Sequence, residues 1–207
     1  MMQNGYLTQT TEKRLMIVSG QGYLELSERI AERLDMELSR VELREFPNGE
    51  LYARYLESVR GADMFIVQSL CDPVNENLMQ LLIMIDAAKR ASAKRIVAVI
   101  PWYAYSRQDR KTKPREPITA RLIANMIQAA GAERVMTMDL HSGQIEGYFS
   151  FPVDHLTAMH TFVDYFVDQG FLDAEDAVQA SVGALMRTTE GERPAVIRTE
   201  LQELMFA

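Results

Sequence analysis

Three stretches of the chain carry residue types that can do chemistry. The first is Asp139-Leu140-His141, which closes an apolar run beginning at Val135. With residues 135–140 taken as a strand, side chains alternate, so Asp139 and His141 fall on one face at its C-terminal edge. A carboxylate and an imidazole there can hold a divalent cation, directly or through its water shell. Mg2+ prefers oxygen, which makes the histidine a minority or outer-shell contact. As a bare tripeptide the same residues also read as a satisfied polar pair. The second stretch, Tyr103-Ala-Tyr-Ser-Arg-Gln-Asp-Arg-Lys111, mixes flat aromatics, guanidinium, amide and carboxylate. An adenine ring needs such faces and edge donors and acceptors, and Arg107 can stack on a ring or fork onto phosphate. A solvated surface loop is the plain alternative. The third stretch, Gly20-x-Gly22, follows a strand and opens a helix, but Glu25 stands where a dinucleotide fingerprint needs its third glycine, so it reads as a tight βα turn. No G-x-x-x-x-G-K-[ST] loop occurs. His155 and His160 stand five apart, roughly 140° around the helix expected over residues 155–169, and so are no metal pair.

Charge points to the kind of ligand. The chain has 207 residues and a net charge of −7, which argues against general nucleic-acid binding. Residues 107–116 hold five bases (Arg107, Arg110, Lys111, Lys113, Arg115) against Asp109 and Glu116, a local +3, so the remainder carries −10. One basic loop in an acidic protein suits a small phosphorylated ligand. Cys71 is the only cysteine, so no internal disulfide forms and a reducing, cytoplasmic setting is expected. No run approaches the roughly 18 apolar residues of a membrane helix. Residues 1–13 are polar and read as a disordered lead-in rather than a signal peptide.

The elements that must position these stretches alternate between short apolar runs and helical patterns, the mark of a parallel sheet covered by helices. Strands are expected at residues 14–18, 64–67, 96–100 and 135–140, with 96–100 central because it is nearly all apolar and β-branched. Residues 41–46 and 51–56 flank Pro47-Asn48-Gly49-Glu50, a strand–turn–strand signal. Helices are expected with Leu26, Ile30 and Leu34 on one face, over 75–91 with Leu78, Leu81, Leu82, Ile85 and Ala88 inward, and over 118–130 between Pro117 and Gly131. The C-terminal edge of such a sheet is where ligands bind. Beyond about residue 173 this rhythm is lost.

Several longer segments, in order, resemble the ribose-phosphate diphosphokinase (PRPP synthase) family. They are Phe46-Pro-Asn-Gly-Glu50, Ser58-Val-Arg-Gly61, Gln80-Leu-Leu-Ile-Met-Ile-Asp-Ala-Ala-Lys-Arg-Ala-Ser-Ala93 and Ser106-Arg-Gln-Asp-Arg-Lys111. Lys113-Pro-Arg-Glu-Pro-Ile-Thr-Ala120 and Asp139-Leu-His-Ser-Gly-Gln-Ile-Glu-Gly-Tyr-Phe-Ser-Phe-Pro-Val-Asp154 continue the series. The resemblance spans about residues 14–176. It implies an α/β, three-layer, phosphoribosyltransferase-like domain with a mostly parallel sheet over residues 14–172. It also implies Mg2+-dependent transfer of diphosphate from ATP to ribose 5-phosphate.

Carried over residue by residue, the resemblance implies that Asn48, Gly49 and Glu50 contact ATP from a neighbouring subunit, with Phe46 beside the base. Arg107, Gln108 and Asp109 bind the nucleotide. His141, supported by Asp139, lies on the metal–phosphate side, and Asp154 closes the signature. Ser150 stands where some members have Asp. The family's second domain is not legible. Val178-Gln-Ala-Ser-Val-Gly-Ala-Leu-Met-Arg187 echoes its opening, with Ser181 in place of a metal-binding Asp. The loop with the catalytic Lys and Arg and the loop that grips ribose 5-phosphate have no counterpart, so no catalytic residue is assigned. Residues 173–207 are expected to be a divergent remnant, as a frameshift or truncation near Val178 would leave. The expected partners are ATP, ribose 5-phosphate if an acceptor site exists, and a second copy or a full-length homologue, with neither nucleic acid nor membrane. A non-catalytic nucleotide-binding subunit beside a full-length homologue is the alternative.

Overall fold

The computed structural model of the chain describes residues 14–170; the calls on residues 1–13 and 173–207, including Ser181, lie outside the described residues. Residues up to Leu156 belong to one compact unit, and a second begins at Thr157. The first unit runs β1 (Leu15–Ser19), α1 (Leu24–Arg33), β2 (Val41–Glu45), β3 (Leu51–Tyr55), β4 (Asp63–Val67), α2 (Val74–Arg90), β5 (Arg95–Ile100), α3 (Thr119–Ala130), β6 (Arg134–Met138), a 3-10 turn (Gly143–Tyr148) and β7 (Val153–Leu156). The described part of the second unit is α4 (Met159–Asp168).

Five strands form a parallel sheet in the order β1-β4-β5-β6-β7, and β2 and β3 pair separately as an antiparallel hairpin. β5 is central, as its unbroken β-branched text requires. The chain leaves β1 through α1 and returns at Leu38, which bridges to Ile17 on the edge of β1 away from β4. α2 and α3 instead lead from β4 to β5 and from β5 to β6. Because such crossovers are right-handed, opposite directions of travel put α1 on one face and α2 and α3 on the other. That gives the expected three layers. The hairpin lies outside α2, where the Tyr55 hydroxyl donates to the Met84 carbonyl at 2.8 Å.

The core follows from this arrangement. Met64 and Ile66 of β4 and Ile96, Ala98 and Ile100 of β5 meet Leu81 and Ile85 of α2 and Ile123 and Ile127 of α3, all buried. Each of these side chains other than Ala98 contributes about 1.5–3 kcal/mol by leaving water. Three expectations need correction. α1 buries the small residues Ser27 and Ala31, while Leu26 and Ile30 are half-buried and Leu34 is exposed past the helix end. Small residues let the helix sit close to the sheet, and the larger ones flank that seam. β6 stops at Met138 rather than residue 140, because Asp139 takes a left-handed backbone (φ 46°) that ends the ladder. His155 lies on β7 and not on the last helix. Pairing with β6 claims Val153–Leu156 as a strand before the helical pattern takes over.

Among the described residues no helix is long and apolar enough to cross a membrane.

Candidate functional site at the C-terminal edge of β5 and β6

β5 delivers the chain at Ile100 into the long loop that carries the basic residues. Its first turn is anchored, not free. Tyr103 is buried and its hydroxyl donates to the Ala120 carbonyl at 2.9 Å, which fixes the loop against the start of α3. Burial pushes the Tyr103 hydroxyl well above the usual phenol range. Tyr105 adopts a left-handed backbone (φ 59°), and its hydroxyl donates to Asn75 at the start of α2. A cleft of about 330 Å³ opens here, between Val74 and Asn75 on one side and Trp102 through Gln108 on the other. It presents aromatic surface next to the exposed guanidinium of Arg107.

The Arg-Gln-Asp run divides into three different environments. Arg107 is exposed. Gln108 is exposed but tied to α3, since its Oε1 accepts from Thr119 Oγ1 at 2.5 Å and its carbonyl accepts from the Ala120 amide at 3.2 Å. Asp109 is buried, at 6% exposure. Its Oδ2 accepts from Ser142 Oγ at 2.7 Å and from Gln144 Nε2 at 2.6 Å, and its carbonyl accepts from the Tyr148 hydroxyl. Burial works to raise the Asp109 carboxyl, but the bonds from Ser142 and Gln144, with the nearby His141, outweigh it and leave the group below its ordinary value. Downstream, Glu116 Oε2 accepts from the Thr112 and Lys113 amides at 2.9 and 2.8 Å and from Thr112 Oγ1 at 2.8 Å. These bonds lower the Glu116 carboxyl. Arg107, Arg110, Lys111, Lys113 and Arg115 are all exposed.

The second half of the site is the turn after β6. The Asp139 amide donates to the Leu156 carbonyl at 3.0 Å, after which the left-handed backbone turns the chain toward His141. Asp139 and His141 are both exposed, and Leu140 between them is buried. The Leu140 amide donates to His155 Nε2 at 3.0 Å, and His155 Nδ1 lies 2.6 Å from Glu146 Oε1. Asp154 is engaged by Arg134, whose Nη1 reaches its two oxygens at 2.6 and 2.9 Å. Arg107, Gln108, Asp109, Asp139 and His141 are thus brought to one sheet edge, with Asp154 on the adjoining strand.

Phe46, Asn48, Gly49 and Glu50 stand on the separate hairpin. Its turn closes through Phe46 N–H to Glu50 C=O (2.7 Å) and Gly49 N–H to Phe46 C=O (2.8 Å). Gly49 has φ 87°, a conformation that favours glycine. Asn48 Oδ1 accepts from the Glu50 amide at 3.2 Å. The Arg44 guanidinium lies 5.1 Å from the Phe46 ring centre and 4.4 Å from that of Tyr52, which steadies an otherwise exposed ring by cation–π attraction.

The Gly20-Gln21-Gly22 turn at the neighbouring edge is filled by the protein itself. Gln68 Oε1 accepts from the Gly22 amide at 3.0 Å, and Gln80 Oε1 accepts from the Gln21 amide at 2.8 Å. Gln68 Nε2 in turn donates to Gln80 Oε1 and to the Asn77 carbonyl. The amides that a dinucleotide would need are therefore already taken. Sequence reasoning overlooked this network, although Asn77 and Gln80 interrupt an apolar helix face at a spacing of three. It also passed over Ser142, Gln144 and Tyr148, the partners of Asp109, for which the sequence offers no local signal.

Comparison with known proteins agrees with this architecture. The family described as the N-terminal domain of ribose phosphate pyrophosphokinase matches residues 15–131. A ribose-phosphate pyrophosphokinase of Clostridium perfringens is 54% identical over 169 residues, which is 82% of this chain and 53% of that protein. One from Fusobacterium nucleatum is 51% identical over 172 residues, 83% of this chain and 54% of that protein. The crystal structure of phosphoribosylpyrophosphate synthetase from Mycobacterium smegmatis superposes with a TM-score of 0.74 at 47% identity, covering 75% of this chain and 52% of that one. The chain spans about half the length of the curated relatives it matches. On a match that covers more than half of its length, this chain belongs to the ribose-phosphate pyrophosphokinase family, within that family's N-terminal domain.

Proposed function

We propose that residues 14–172 form the nucleotide-binding domain of a ribose-phosphate diphosphokinase, which moves the β,γ-diphosphate of ATP onto the anomeric hydroxyl of ribose 5-phosphate. In that reaction the anomeric oxygen bonds to the β-phosphorus and gives up its proton to solvent, the bond from that phosphorus to the α-phosphate oxygen breaks, and AMP leaves. The observation that carries the reading is Asp109, whose buried carboxylate holds the loop bearing Arg107 to the turn bearing His141. Arg107 lies over the base or against phosphate, with Gln108 beside it and Asp109 as the anchor. Phe46, Asn48, Gly49 and Glu50 reach the nucleotide from a neighbouring copy. Their position on the separate hairpin suits that role. The setting is cytoplasmic, as suits the single Cys71.

Mg2+ fits the donors that this edge offers. Among the described residues there is no cluster of three or more His, Cys, Asp or Glu side chains. Mg2+ bound with a nucleotide commonly uses one or two carboxylates, with phosphates and water completing the shell. Asp139 supplies the carboxylate and His141 an outer contact, whereas Asp154, in register with Met136 and paired with Arg134 at the start of β6, faces away from that turn and is left out of the shell. The bound ion would offset negative charge on the phosphates.

Equilibrium titration of ATP with and without Mg2+ tests the reading. Arg107→Ala removes a planar, delocalised cation and is expected to weaken binding by about 1–3 kcal/mol. Unchanged affinity in that variant would count decisively against the assignment.

A further inference from the structure

We infer that His155 is a positioning residue that sets the Asp139-Leu140-His141 turn, and that Glu146 holds it in the one tautomer able to do so. The inference rests on the proposed metal role of Asp139 and His141 for its functional consequence, but not for its geometry. Leu140 contributes a backbone N–H, which can only donate. At 3.0 Å from His155 Nε2, it requires that nitrogen to carry a lone pair. The neutral ring's proton then sits on Nδ1, where it points at Glu146 Oε1, 2.6 Å away. The ring is thus committed in two directions, with a carboxylate fixing the tautomer from behind as in the outer shell of many sites.

The need for this clamp lies in the backbone. β6 and β7 pair as far as Met138 and Leu156, and Asp139 N–H still reaches the Leu156 carbonyl. At Asp139 the chain turns into the left-handed region at φ 46°, which residues other than glycine adopt at a cost, least for Asn and Asp. The next amide leaves the ladder and belongs to a buried residue, Leu140. Without a partner it would carry a desolvation penalty. His155, on the adjacent strand and in register with Thr137, supplies that partner from its side chain. It thereby holds the strained turn that puts Asp139 and His141 at the sheet edge. His155 bonds directly to the Leu140 amide and to Glu146, and reaches the Arg107 loop only at second hand through the turn that Asp109 binds, so its first effect on ligands falls on the metal side.

The experiment combines nitrogen NMR of the full 207-residue chain with three measurements on His155→Phe and His155→Gln. In the wild type, Nδ1 is expected to be protonated and Nε2 pyridine-like; the opposite tautomer overturns the inference. Phe keeps the ring volume but offers no acceptor, whereas Gln can place its carbonyl oxygen near the Nε2 position. Exchange of the Leu140 amide is expected to accelerate about fivefold to tenfold in His155→Phe and to stay near wild type in His155→Gln. Affinity for ATP with Mg2+ is expected to fall by a similar factor in the Phe variant and to recover in the Gln variant, with Mg2+-free ATP affinity unchanged in both. Equal loss with and without Mg2+ makes His155 a general stabilising residue and overturns its positioning role. If wild type shows no Mg2+-dependent binding, the metal reading fails while tautomer and exchange still decide the clamp. If the Phe variant does not fold, the wild-type tautomer and the Gln variant's exchange decide it.

Discussion

Asp109 Oδ2 and Ser142 Oγ lie 2.7 Å apart across 33 residues of sequence, and this bond joins the loop after β5 to the turn after β6. With Gln144 donating to the same oxygen, the carboxylate is a buried acceptor held by two donors, and its pairing is charge-assisted. Asp109→Ala removes the charged acceptor of both bonds and is expected to cost about 1.5–3 kcal/mol of stability in urea unfolding. Because the folded carboxyl lies below its ordinary value, its contribution is complete above the unfolded pKa. It is lost as pH falls through the folded one. The acid-side decline in stability should therefore shrink in Asp109→Ala. A variant with wild-type stability and an unaltered acid limb would show that the bond is incidental.

The half-buried phenol of Tyr55 and the buried one of Tyr103 predict the opposite limb. Burial raises both Tyr55 and Tyr103 well above the ordinary phenol value. From about pH 10 upward the unfolded chain loses phenol protons that the folded chain retains, so stability falls with rising pH. Urea midpoints measured across this window should fall in the wild type and flatten in Tyr55→Phe/Tyr103→Phe. Each single variant should also lose about 0.5–1.5 kcal/mol near neutral pH, from its hydrogen bond to Met84 or Ala120. A double variant as alkali-sensitive as the wild type would sink this account.

How much was legible in the sequence depended on the range of the interaction. β5 announced itself by unbroken β-branched text, and α2 and α3 by their apolar period, because those signals are local and their burial is uniform. The hairpin was marked by Pro47-Asn48-Gly49-Glu50, whose turn chemistry is also local. β7 was missed because Val153–Leu156 gains its strand character from pairing with β6 rather than from its own short text. The early end of β6 was missed for a related reason. Strand alternation cannot foresee a left-handed Asp139, which depends on what His155 and Leu156 offer across the sheet. Among the candidate site residues, Arg107 and Asp109 have adjacent roles in the sequence but opposite exposures, and only packing separates them.

The Gly22 turn yields a sharp test of close approach. A Cβ built at Gly22 falls 2.3 Å from the Ser69 carbonyl oxygen, a backbone atom that cannot swing aside. Gly22→Ala is therefore expected to destabilise by about 1–3 kcal/mol through forced backbone shifts. Among the described residues, a Cβ at Gly147 meets no heavy atom within 4 Å, so Gly147→Ala serves as the near-neutral control. Thermal or urea unfolding of the two variants side by side decides the matter. Equal stability would mean that the turn relaxes freely and that the Gln68–Gln80 network does not fix it.

The last prediction concerns turnover. The 207 residues are expected to form PRPP at a negligible rate on their own. Positioning two reactants can supply roughly 7–11 kcal/mol of barrier reduction, and the family resemblance assigns no residue of this sequence to the sugar phosphate. Preorganised cations facing the transferring group commonly add a few kcal/mol more, and no counterpart of the family's catalytic Lys and Arg loop is found in the text after Val178. If Ser181 stands where the resemblance implies a metal-binding Asp, one further charge is lost. The proposed nucleotide binding at Arg107 is expected to survive all three losses, so affinity for ATP and catalytic rate should come apart. The measurement is AMP release that depends on ribose 5-phosphate, made on this chain free of any longer homologue. ATP binding without such release supports the proposed division of labour, whereas robust turnover would mean that residues 173–207 build an acceptor site of their own.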